Sequence, residues 1–146
     1  MHKAKTSSGR CFEDFVPGDA IQHATPRTVT QGDAALYAAL HGTRFAVQSS
    51  APFARAIGYR ESPLDDLLVF HIVFGKSVPD ISVNAIANLG YADCRFLAPV
   101  YCGDTLSASS QVIGTRENSS RRPGSSMSAP AASTSMAPRC WSSCAG

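Results

Sequence analysis

Two histidines, His41 and His71, the adjacent acids Asp65 and Asp66, and five cysteines are the side chains whose types could do chemistry. His41 falls in the last turn of an expected helix, where an imidazole complements the helix dipole, and it reads as a surface residue rather than a general base. His71 is flanked by Phe70, Ile72 and Phe74 and reads as a hydrogen-bonded core histidine. Asp65 and Asp66 stand where a long helix begins, so capping and dipole compensation are their expected work. Cys11, Cys94, Cys102, Cys140 and Cys144 form no C-x-x-C pair. An odd count in a chain without an export signal points to reduced thiols in the cytoplasm, and no metal site is expected.

The element that must position these groups is residues 61–78, ESPLDDLLVFHIVFGKSV. Ser62 can cap a helix, Pro63 suits its first position and Gly75-Lys76 supplies a stop. Leu64, Leu67, Leu68, Val69, Phe70, Ile72, Val73 and Phe74 cover nearly its whole circumference, so the helix should be wrapped rather than wet on one side. Residues 88–96 and 105–116 have strand character and form an expected antiparallel pair around it. Earlier in the chain, Pro17-Gly18-Asp19 marks a turn into a short strand, and residues 27–30 continue extended. Thr30-Gln31-Gly32-Asp33 then starts a helix that stops at His41-Gly42. Residues 52–57 make a further helical turn, broken at Gly58.

One domain fits 146 residues, and 44% hydrophobic with 16% charged content is ordinary for a soluble globular protein. A net charge of +2 gives no electrostatic reason to expect nucleic acid, and no apolar run is long enough for a membrane. The expected layout is a disordered start over residues 1–10, a folded part over 11–119 and an aberrant or disordered tail over 120–146. From Ser119 the composition turns to Ser, Ala, Pro, Arg and Cys without an apolar period. Codons for residues 121–128, regrouped one base upstream, can encode K-T-G-V-V-Y-V. The same shift over residues 132–145 can give V-N-Q-H-G-A-E-V-L-E-F-V-R. These are two alternating strands, so the tail is expected to be out of frame and the sheet incomplete.

The run Arg95-Phe96-Leu97-Ala98-Pro99-Val100-Tyr101-Cys102-Gly103-Asp104-Thr105-Leu106 resembles the R-F-x-x-P-V-x-x-G-D-T-L signature of the MaoC-like hotdog dehydratases. The Phe12-Glu13-Asp14-Phe15 opening is similar to the start of those proteins. Residues 23–30, 67–76 and 84–91 resemble, within them, the mesaconyl-CoA hydratase (β-methylmalyl-CoA dehydratase) family, over residues 9–119 in all.

The resemblance implies an α+β hotdog, an antiparallel sheet around a central helix. It further implies the N-terminal half of a double hotdog whose partner is a second hotdog domain or subunit. The implied chemistry is reversible hydration of a C5 dicarboxylic enoyl-CoA, with the coenzyme A thioester as substrate and no metal or redox cofactor. The wider family's G-D-x-N-P-x-H motif supplies an Asp and a His as acid and base. Here Thr43 stands in the Asp position and Gln48 in the His position, and neither titrates near neutral pH. This half is therefore expected to be inactive alone, with the catalytic pair in the second hotdog. Arg44 is the candidate to meet the substrate's free carboxylate with its guanidinium fork. Asp65 and Asp66, where related proteins often have a glycine, argue against an oxyanion site in this copy. Two other readings stay open: a MaoC-type enoyl-CoA hydratase with a linear substrate, and a non-catalytic hotdog that binds acyl-CoA or pairs with a catalytic subunit.

Overall fold

A computed structural model describes residues 9–43, 45–85, 88, 90–116 and 131–141, with Arg116 and residues 131–141 described by their backbone alone. The elements in chain order are β1 (Ala20–Gln22), β2 (Arg27–Thr28), α1 (Gln31–His41), α2 (Ala46–Ser49), α3 (Ala51–Ala56), α4 (Asp66–Ile81), β3 (Thr105–Arg116) and β4 (Ala131–Trp141). A single 3-10 turn, Phe12–Asp14, precedes them. The chain divides into two compact units, and α4 and β3 each contribute to both.

The first unit is built from residues 1–24, 74–93 and 108–138. Its turn at Pro17-Gly18 follows from the sequence: Gly18 has φ +96°, a left-handed conformation that glycine adopts without strain, and Asp19 N–H closes onto the Val16 carbonyl at 3.0 Å. β1 then pairs antiparallel with β3, Ile21 opposite Ser110. Ile21, Ala108 and Val112 are buried here, together with the polar side chains of His23, Ser77 and Ser110.

The second unit takes residues 25–73, 94–107 and 139–146. β2 pairs antiparallel with the start of β3, Thr28 opposite Thr105. The Thr30 and Asp33 side chains cap α1 reciprocally, Thr30 Oγ1 accepting from Asp33 N–H and the Asp33 carboxylate accepting from Thr30 N–H. α1 ends at Gly42, φ +73°. The interior holds Val29, Ala54, Leu64, Val100 and Leu106 with the α4 residues Leu68, Val69, Ile72 and Val73.

Three expectations change. The central helix runs Asp66–Ile81 rather than 61–78. Leu64 N–H donates to the Val100 carbonyl at 2.7 Å, which holds residue 64 extended, so Asp65 takes the capping role and accepts from Leu67 N–H at 2.9 Å. At the other end the helix passes through Gly75-Lys76 and contains Pro79. Pro79 forfeits one helical bond, and Ser77 Oγ donates to the Phe74 carbonyl in the same turn.

The same helix is buried along one stripe only. Leu67, His71 and Gly75 lie exposed on another face, so His71 is not a core histidine in this chain. Within the stretch expected as a strand over 88–96, residues 90–96 are not one; Gly90 at φ +152° and Asp93 at φ +49° break any extended ladder, and β3 pairs with β1, β2 and β4 instead. Within residues 120–146, Ala131–Trp141 has strand backbone paired with β3.

Candidate functional site

Thr43 and Gln48, distant from each other by five positions of loop and short helix, meet in one cleft of the second unit. α1 presents Ala34, Tyr37 and Ala38 to it, the i, i+3, i+4 spacing of one helical stripe, while Leu36 and Leu40 on the other side are exposed. Past the stop at Gly42, α2 is set by Gln48 N–H bonding to the Phe45 carbonyl at 3.0 Å. Pro63, Leu64, Asp65 and Leu68 from the entry to α4 close the far side. The space enclosed is about 50 Å³.

Its polar groups are the Tyr37 phenol, the Thr43 hydroxyl, the Gln48 amide and the Asp65 carboxylate. Burial, then the charge of Asp65, raises the Tyr37 pKa, so the phenol stays neutral and can donate or accept. Asp66 is likewise pushed up, first by desolvation and then by Asp65. The carbonyl oxygen of Gln48, Oε1, is buried and has no hydrogen-bond partner among the described residues. Thr43 and Gln48 themselves bring to this space an alcohol and an amide, neither of which exchanges a proton at neutral pH. Arg44, singled out as a carboxylate partner, lies outside the described residues.

The signature turn has a structural explanation. Asp104 Oδ2 accepts from Tyr101 N–H at 2.9 Å, and Oδ1 accepts from the Arg60 guanidinium at 3.0 Å. Arg60 in turn lies 4.0 Å over the Tyr101 ring. Gly103, at φ +93°, donates its N–H to the Val29 carbonyl at 2.8 Å, which places the turn against β2. Cys102 in this turn is a poor nucleophile, because burial and then Glu61 and Asp33 raise its thiol pKa. Among the described residues, no three His, Cys, Asp or Glu side chains gather as a metal site.

The polar group that sequence reasoning missed is His23. Its Nδ1 lies 2.8 Å from Asp80 Oδ2 and its Nε2 lies 2.8 Å from Ser110 Oγ. Those partners are 57 and 87 residues away, so no local signal announces them. The side chain is fully buried, and its two bonds satisfy both ring nitrogens.

The solved structures similar to this chain are hotdogs. A MaoC-domain dehydratase from Chloroflexus aurantiacus superposes with a TM-score of 0.76 at 64% identity, covering 80% of this chain and 33% of that one. A double-hotdog protein from Mycobacterium tuberculosis gives a TM-score of 0.79 at 28% identity, covering 91% of this chain and 40% of that one. The chain is thus a hotdog of the MaoC-like class. The family profile described as mesaconyl-CoA hydratase matches residues 1–130, which takes in the N-terminal stretch that the motifs alone left out. A β-methylmalyl-CoA dehydratase from Chloroflexus aurantiacus is 63% identical over 83% of this chain and 34% of its own length. A mesaconyl-CoA hydratase from Cereibacter sphaeroides is 58% identical over 82% of this chain and 35% of its own length. The chain belongs to the mesaconyl-CoA hydratase family, and it spans about a third of the length of the curated relatives it matches.

Proposed function

We propose that this chain is the N-terminal hotdog of a mesaconyl-CoA hydratase, serving reversible addition of water to a C5 dicarboxylic enoyl-CoA in the cytoplasm. In that reaction water's oxygen bonds one alkene carbon and a proton goes to the other. No electrons change hands, so no redox cofactor is needed. The observation that carries the assignment is the 63% identity to a β-methylmalyl-CoA dehydratase over 83% of the chain. The role within the reaction is binding rather than proton transfer, because Thr43 and Gln48 line the cleft where an acid and a base would be required. A second hotdog, as domain or subunit, supplies that pair. Leu36, Leu40, Phe45, Ile57 and Leu97, all more than half exposed, are the apolar surface that such a partner would cover. Arg44 is proposed to meet the free carboxylate of the acyl group.

The test compares mesaconyl-CoA with crotonyl-CoA as substrates for this chain joined to a second hotdog that carries G-D-x-N-P-x-H. Preference for mesaconyl-CoA, lost in Arg44→Ala, is expected. Equal rates on the linear substrate would favour another MaoC-type hydratase. Thr43 and Gln48 also suit a second reading, a non-catalytic hotdog that binds acyl-CoA or pairs with a catalytic subunit. Co-purification with a separate hotdog subunit, and no open frame for one in the same gene, would favour it.

Residues 120–146 are proposed to be read out of frame from the gene. A one-base shift of the codons restores two alternating strands in this stretch. Sequencing the coding DNA tests this: a single-base difference near Ser119 relative to related genes is expected, and an uninterrupted shared frame would overturn it.

A further inference from the structure

We draw no further inference here: the strongest candidate, the side-chain cluster in the second unit where the Tyr37 ring of α1 lies 4.4 Å from the His41 ring and 6.2 Å from the His71 ring of α4, centroid to centroid, shares Tyr37 with the cleft already described, and nothing among the described residues points to a ligand of its own.

Discussion

His23 and Asp80 form a part-buried hydrogen bond, Nδ1 to Oδ2 at 2.8 Å, that ties the residue after β1 to the last turn of α4. A carboxylate only accepts, so Nδ1 carries the hydrogen, and in the neutral ring Nε2 accepts from the Ser110 hydroxyl. Three elements of the first unit are thereby fastened through one imidazole. The arrangement has the outline of a nucleophile, a base and an orienting acid. Ser110, however, is buried and sits within the β1–β3 ladder, which leaves its role structural.

Removing that imidazole takes one hydrogen-bond partner from Asp80 and one from the buried Ser110 hydroxyl. His23→Ala is expected to lower unfolding free energy by about 2–4 kcal/mol. Asp80→Ala and the double variant should not add to this in full, since both act on one contact. Urea denaturation of the four proteins checks it; independent, additive losses would contradict the coupling.

Asp33 gives a pH dependence with a definite sign. Its carboxyl is held below the usual carboxylate range, first by the Thr30 backbone N–H, then by the Thr30 hydroxyl, with Arg27 adding a smaller part. A depressed folded-state pKa contributes stability that is present above the unfolded value and is lost as pH falls through the folded one. The stability gap between the natural chain and Asp33→Asn should therefore be widest above about pH 5 and close progressively in acid. Thermal melts across that range read it, and a gap independent of pH would contradict the capping box.

The Gly103-Asp104 turn depends more on the carboxylate than on the guanidinium. Asp104 is buried and bonds both Tyr101 N–H and Arg60, whereas Arg60 is half exposed. Asp104→Ala should cost about 2 kcal/mol, because it also leaves the Tyr101 N–H unpaired. Arg60→Ala should cost clearly less. Equal losses, measured by denaturant midpoint, would show that the ion pair rather than the turn carries the effect.

Local chemistry was legible in the sequence wherever both partners lie a few residues apart. The Thr30–Asp33 cap, the stop at Gly42, the turn at Gly18 and the strand from Thr105 to Arg116 all depend on neighbours or on a short periodic run. The start of α4 did not follow from Ser62 and Pro63, because a distant carbonyl at Val100 takes the Leu64 N–H. Residues 88–96 had strand composition, but composition alone does not supply a pairing partner. At the candidate site, Thr43 and Gln48 were picked out by resemblance to a motif, while the cleft itself needed the fold to bring Tyr37 and Asp65 beside them. The bonds of His23 span more than fifty residues and had no local trace.

We propose that this hotdog binds and does not move protons, since Thr43 and Gln48 stand where the related motif has an acid and a base. The most direct measurement is hydration of mesaconyl-CoA by the purified 146-residue chain, followed as loss of the enoyl-thioester absorbance. No turnover above the buffer rate is expected from the chain alone, with turnover restored when a hotdog carrying G-D-x-N-P-x-H is joined to it. Saturable hydration by the isolated chain would contradict the account.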